Sequence, residues 1–189
     1  MSVGNQTQAI NFSNRQLTLV LGENLDQGGD DSGSRNGTGK TTIINALSYA
    51  LYGVALTNIR KNNLINKTNN KGMLVTLNFE KDNKKYRIER GRGPNVLKFF
   101  IDEEEQELTD ESQGDSRKTQ ETLDQLLQMS HDMFKHLIAL NTYTEPFLAM
   151  KPNDQRAIIE QLLGITILSE KANVLREHMK VTRDSITEE

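Results

Sequence analysis

The chain has 189 residues, 35% of them hydrophobic, with a net charge of −3 and a mean hydropathy of −0.62. That is enough for one substantial core and a second small piece. The absence of cysteine excludes disulfides and thiolate-held zinc. The apolar runs are far shorter than the roughly 20 residues that cross a bilayer, and no basic-then-apolar leader stands at Met1, so the chain reads as cytoplasmic with no membrane partner.

Taken in order, residues Gln8–Phe12 and Gln16–Leu21 are predicted as two short strands, the second a buried one (Q-L-T-L-V-L), joined by the turn F-S-N-R. Residues Arg35–Thr42 then read R-N-G-T-G-K-T-T. A backbone turning through Gly37 and Gly39 can aim several N–H groups at a polyphosphate, because no Cβ blocks the turn or the approach. Lys40 would reach the β/γ-phosphates and Thr41 would offer its hydroxyl to Mg²⁺. A helix follows, ending at Gly53, so the phosphates would sit at a helix N-terminus where the dipole favours anions. The usual spacing of this loop needs glycine where Ser34 stands; Gly33 is one place early, and Gly22 lies at the predicted strand end. If Gly22 begins the loop, Glu23–Ser34 is an insert carrying Glu23, Asp26, Asp30 and Asp31. It reads either as an acidic flap beside the phosphates or as a plain surface loop.

Val54–Lys71 is polar and Asn-rich, an irregular connection. Met73–Glu80 and Tyr86–Gly91 alternate as half-buried strands around the turn K-D-N-K-K, and Val96–Asp102 follows after R-G-P-N. This predicts three sequential antiparallel strands with Lys and Arg facing outward. Asp115–Met129 reads as a helix with the stripe Leu123, Leu126 and Leu127, and His131–Leu140 as another. His131, His136 and His178 read as ordinary helix residues, not a metal site. Pro152 and Gly164 stand at the start and end of a further helix. Leu168, Ala172, Leu175, Met179, Thr182 and Ile186 recur at four- and three-residue steps. This seam suits a coiled coil or an ordinary amphipathic helix, and it runs to Glu189 without a stop signal.

Charge is unevenly spread. Arg60–Lys98 holds eleven Lys/Arg against Glu80, Asp82 and Glu89; Asp102–Asp124 holds ten Asp/Glu against Arg117 and Lys118. A nucleic-acid face on an acidic protein is compatible with this, as are two solvated faces. The compact candidates for DNA contact are Lys81, Lys84, Lys85, Arg87, Arg90 and Arg92.

The segments N-G-T-G-K-T-T-I-I-N-A-L-S-Y-A-L-Y-G, L-I-N-K-T-N-N-K, K-K-Y-R-I-E-R-G-R-G-P-N-V, M-S-H-D-M-F-K-H-L-I-A-L and P-F-L-A-M-K-P-N-D-Q-R-A-I-I-E-Q-L-L-G occur in that order. The order resembles the N-terminal half of the SbcC-type ATPases of the SMC/ABC class. The resemblance implies an α/β fold: a phosphate-loop NTPase of ABC/SMC type, its N-terminal lobe (1–164) built of antiparallel β-hairpins plus helices and leading into a coiled-coil helix (165–189). It implies ATP and Mg²⁺ as cofactors, with Asn36, Gly37, Thr38, Gly39, Lys40, Thr41 and Thr42 on the nucleotide. For the metal it implies Thr41 with the family's glutamine position, here Asn141, a shorter amide. The implied partners are the chain's own C-terminal half with the signature and Walker B motifs, a second head in a dimer, a metal-dependent nuclease subunit, and double-stranded DNA. The implied activity is ATP hydrolysis driving DNA end processing, with no catalytic residue in this stretch.

Two rival readings remain open on the residues alone. V-L-K-F-F-I-D-E (Val96–Glu103) imitates a second acidic motif, giving a self-contained kinase or GTPase-like enzyme with Asp102 on Mg²⁺ and Glu103 as base. Lys98 argues against that strand being buried in a parallel sheet. The other rival is a coiled-coil adaptor that keeps nucleotide binding without turnover.

Overall fold

The computed structural model describes residues 7–13, 16–23, 37–106, 116–140 and 144–188, which fall into two compact units, 1–128 and 129–189. Gly164, after which a coiled-coil helix is expected to begin, lies between two helices of the second unit, Pro152–Leu162 and Thr166–Glu188.

In the first unit, helix α1 (Lys40–Tyr52) leads to four antiparallel strands in the order of the chain: β1 (Met73–Lys81), β2 (Lys84–Arg92), β3 (Val96–Ile101) and the short β4 (Glu104–Glu105). Helix α2 (Arg117–Leu127) follows. The three predicted strands are present within one or two residues of their expected ends. Both tight turns are two-residue loops with positive φ at each central position, Asp82 (52°) and Asn83 (61°), then Asp102 (50°) and Glu103 (71°). That geometry matches the twist of the flanking strands, and Asn and Asp tolerate it better than other non-glycine residues.

Register divides the side chains between two faces. Leu77 lies opposite Ile88 and Phe79 opposite Tyr86, and Ile88 opposite Phe99. Their face is the core, with Ile88 and Phe99 fully buried and the Tyr86 ring stacked between Phe79 and Phe99 at 5.2 and 5.9 Å. Ala50 and Leu51 of α1 and Leu123 of α2 are buried in this unit as well. The other face bears Thr76, Asn78, Glu80, Lys85, Arg87, Glu89 and Lys98, with Glu80 opposite Lys85 and Glu89 opposite Lys98, pairings that stabilise a solvated sheet face.

Two expectations are corrected here. The predicted strands Gln8–Phe12 and Gln16–Leu21 are not strands: their described residues pair with nothing, and Leu17 and Leu19 are 95% and 80% exposed. An alternating apolar pattern becomes a strand only when a neighbour closes its hydrogen-bond ladder, and among the described residues no strand of this sheet does so. The basic residues of the hairpins also do not all face outward. Arg90 alternates with Tyr86 and Ile88 and so points into the core, where it is only 9% exposed.

The second unit is helical. Helix α3 (His131–Met133) is capped by Ser130, whose hydroxyl accepts the Met133 N–H at 3.1 Å. It continues as a wide π turn over Phe134–Ile138, not as the α-helix to Leu140 that was expected. The Ala139 N–H donates to the Phe134 carbonyl, five residues back, and Phe134, His136 and Ala139 are buried. Helix α4 (Pro152–Leu162) starts on its proline and is followed by Gly164 at φ 66°. Helix α5 (Thr166–Glu188) forms for 23 residues. Its seam residues Leu168, Leu175, Met179 and Ile186 are exposed, so it stands as a single amphipathic helix without the pairing of a coiled coil among the described residues.

Candidate phosphate site

The glycine loop has the backbone that its sequence demands. Gly37 and Gly39 adopt φ of 74° and 86°, with Thr38 between them, and Gly39 is the residue from which α1 starts. A Cβ added at Gly37 would meet open space, so the restriction there is conformational, a left-handed turn that glycine makes at little cost. Gly39 lacks a side chain to cap the helix, leaving its N-terminus open to an anion. The N–H groups of such a turn converge on one concavity. Lys40 folds back over the loop, its Nζ donating to Thr38 Oγ1 at 3.2 Å. Thr41 is exposed and Thr42 half-buried, with the Thr42 N–H on the Gly39 carbonyl at 2.9 Å. The backbone, ammonium and hydroxyl chemistry therefore fits a polyphosphate with its cation. Asn36 and Asn141, the remaining candidates for nucleotide and metal, lie outside the described residues, as does the insert beyond Glu23.

Gly22 ties the preceding segment to this loop. A Cβ at Gly22 would collide with the Thr38 side chain, Oγ1 nearest. The two residues are thus in close approach although sixteen positions separate them. This is the contact expected if Gly22 begins the loop and Glu23–Ser34 interrupts it.

The far end of α1 is held by polar groups that spacing alone did not reveal. Asn45, buried, donates through Nδ2 to Thr57 Oγ1 at 3.0 Å and accepts the Thr57 N–H at 3.2 Å. The Ser48 hydroxyl donates to the Val54 carbonyl at 2.8 Å, and Gly53 closes the helix at φ 71°. Arg90 donates through Nε to the Ala50 carbonyl at 3.0 Å and through Nη2 to Gln120 Oε1 at 2.5 Å. Gln120 in turn donates to the Leu51 carbonyl at 3.1 Å and to Asp124 Oδ1 at 2.7 Å. Burial pulls the Arg90 guanidinium down to about 10 and pushes the Tyr52 phenol up to about 12. Nearby Tyr49 and Asp124 oppose the fall at Arg90, and Asp124 adds to the rise at Tyr52. The one signal in the sequence was the period of two, which puts Arg90 on the apolar side of its strand.

The other basic candidates are similarly engaged. Lys81 donates to the Leu126 carbonyl at the end of α2 at 2.6 Å. Arg87 lies 3.9 Å over the Phe100 ring and pairs with Glu103 at 2.8 Å and Glu89 at 3.4 Å. Arg92 donates to Asn62 Oδ1 at 2.6 Å. Lys84 and Lys85 are exposed, beside Glu80 and Asp82. The six residues do not form one patch, since register puts Lys85 and Arg87 on the opposite face from Lys81, Lys84, Arg90 and Arg92. Asp102 and Glu103 sit in a hairpin turn, where Asp102 Oδ1 accepts the Lys85 N–H at 2.9 Å. Both carboxylates thus serve the turn and its neighbours, and the strand before them is antiparallel.

The model of the AAA domain family matches residues 1–188. Exonuclease subunit 2 of Escherichia phage RB69 is 34% identical over 182 residues, covering 95% of this chain and 29% of that protein. Exonuclease subunit 2 of Enterobacteria phage T4 is 36% identical over 172 residues, 90% of this chain and 28% of that one. A DNA double-strand break repair Rad50 ATPase from Methanococcus maripaludis is 26% identical over 180 residues, covering 92% and 16%. The chain thus spans under a third of the length of the curated relatives it matches.

Proposed function

Because the chain belongs to the AAA domain family of phosphate-loop ATPases, we propose that it is the ATP-binding half of an ATPase head. In the whole protein, ATP binding and hydrolysis would drive DNA end processing by a nuclease partner. The observation that carries this reading is the turn through Gly37 and Gly39 feeding Lys40 into the first turn of α1. Asn36 to Thr42 would hold the triphosphate, with Lys40 the charged donor, and Thr41, with Asn141 at the position of the family's glutamine, would supply the Mg²⁺ ligands. That ion, when bound, neutralises the β- and γ-phosphate oxygens. Turnover needs a Walker B carboxylate and a signature motif, both belonging to a C-terminal half and a second head. The seam of α5 begins the coil that joins the halves. The chain alone binds Mg-ATP and hydrolyses it near background, each missing group lowering the rate by orders of magnitude.

Lys40→Ala tests the assignment. Loss of a charge-assisted phosphate contact is worth roughly 1.5–3 kcal/mol, about tenfold to a hundredfold in affinity. Calorimetric titration with Mg-ATP should register that drop while circular dichroism stays unchanged; equal affinity in both proteins would remove the phosphate-loop reading. The self-contained enzyme would instead show strong turnover by this chain, abolished by Asp102→Asn.

A further inference from the structure

We propose that the segment 60–72, together with Arg92, is a platform for the phosphate backbone of duplex DNA, a proposal that rests on the DNA-processing reading above. The segment carries Arg60, Lys61, Lys67 and Lys71, all exposed, and no Asp or Glu occurs anywhere between Asp31 and Glu80. Among the described residues no carboxylate pairs with any of these four cations or with Arg92. The contrast with the β1–β2 hairpin end is direct. There Lys81 is spent on a helix carbonyl, Arg87 on two glutamates, and Lys84 and Lys85 share their surroundings with Glu80, Asp82, Asp102 and Glu103.

The platform is also built, not a loose tail. A 3-10 turn over Lys61–Leu64 buries Leu64 almost completely. The Arg92 guanidinium holds Asn62, and the Gly72 N–H donates to the Gly93 carbonyl at 2.8 Å, so the β2–β3 turn fastens both ends of the segment. Between them Asn66 folds a turn on itself, its Oδ1 accepting the Thr68 N–H at 2.8 Å and its carbonyl the Asn70 N–H at 2.7 Å. A backbone held in this way presents its lysine and arginine side chains from set positions, so only those side chains need to be ordered on meeting a phosphate.

Composition selects the partner. Protein interfaces centre on apolar and aromatic anchors, whereas here Leu64 is buried and the exposed positions 67–72 are Lys, Thr, Asn and Gly. Single strands are held by stacking bases on aromatic rings, and residues 53–72 contain none. Lysine, arginine and asparagine donors without either feature suit the outside of a duplex, read for charge and not for sequence.

Fluorescence anisotropy of a labelled mixed-sequence DNA duplex with the full chain tests this. The triple substitution Lys61→Ala, Lys67→Ala, Lys71→Ala should weaken binding and flatten the log–log salt slope by about 0.9 per lost contact, roughly 3 in all. Single Lys→Gln changes should each flatten it by about 0.9, which keeps the test valid if the triple variant folds poorly. Lys84→Ala with Lys85→Ala should leave the slope nearly unchanged. An unaltered slope in the triple variant, an equal loss in the hairpin variant, or equal affinity for a single strand or poly-glutamate would each overturn the platform. Mg-ATP titrations of the same samples keep the two readings apart. Normal nucleotide binding beside an unaltered slope removes the platform alone; duplex binding through the platform by a chain without Mg-ATP affinity removes the ATPase reading.

Discussion

Replacing Arg90 by methionine keeps the length of the side chain and removes the guanidinium that joins α1, β2 and α2. Two hydrogen bonds from a charged donor are lost, to the Ala50 carbonyl and to Gln120, each worth roughly 1.5–3 kcal/mol. Against this stands relief from burying a cation. Burial lowers the group from its ordinary value to about 10, which disfavours the charged form by on the order of 3 kcal/mol. The Ala50 carbonyl, left without its donor in the core, adds about 1–2 kcal/mol. The balance is a destabilisation of about 3 kcal/mol, or some 6–12 °C in Tm for a chain of this size. Urea denaturation measures it, and a cycle with Gln120→Leu should give a coupling of about 1 kcal/mol, because each substitution strands the other side chain. If Arg90 were instead an outward DNA contact, as the sequence suggested, the variant would keep its stability and lose only salt-dependent duplex binding. Unchanged stability, or strict additivity with Gln120→Leu, would refute the network.

Gly22→Ala drives a methyl group into Thr38 and should displace the loop, lowering Mg-ATP affinity by about tenfold, the equivalent of one lost phosphate contact. Thr38→Gly in the same chain should restore it; no effect of either change would separate Gly22 from the site. Burial lowers His131, opposed by Asp132 and reinforced by Lys135. Below 6.5 the unfolded chain therefore takes up the proton first, and stability falls as pH drops from 6.5 toward the lowered folded value. His131→Gln should flatten that fall in urea denaturation curves taken above and below 6.5, and identical pH profiles would show that the histidine is not a source of it.

What was legible in the sequence was whatever local chemistry alone decides. Gly37, Gly39 and Gly53 announce backbone conformations that few other residues adopt, and the structure has left-handed φ at all three. The strands of the sheet alternate between clear turn signals, so their ends fall within two residues of expectation. Residues 8–12 and 16–21 show the same alternation and yet form no strand, because a strand is a property of a pair and the pattern does not reveal its partner. The π turn at Phe134–Ile138 is hidden for a related reason: one wider turn alters burial without altering composition. The six basic residues expected to face outward together cannot all do so, because the side chains of a strand alternate between faces. Counting in twos from Tyr86 puts Arg90 inside, Arg87 outside, and divides the six residues between opposite sides of the sheet.

Helix α1 physically links the phosphate site to the cation platform. Its N-terminus is the phosphate loop, while Asn45 and Ser48 fasten its body to Thr57 and Val54, in the segment that runs directly into Arg60. A second route leaves its C-terminal carbonyls through Arg90, two residues before Arg92 and on the same face of β2, and Arg92 grips Asn62. The first route and the Arg90 bond are buried or part-buried, while the closing Arg92–Asn62 bond is exposed. Were α1 to shift on binding phosphate, these links would carry the displacement to the segment 60–72. A sheet whose outer cations were free would have no such connection to the nucleotide. The burial of Arg90, which removes it from any DNA surface, is what makes this second route available.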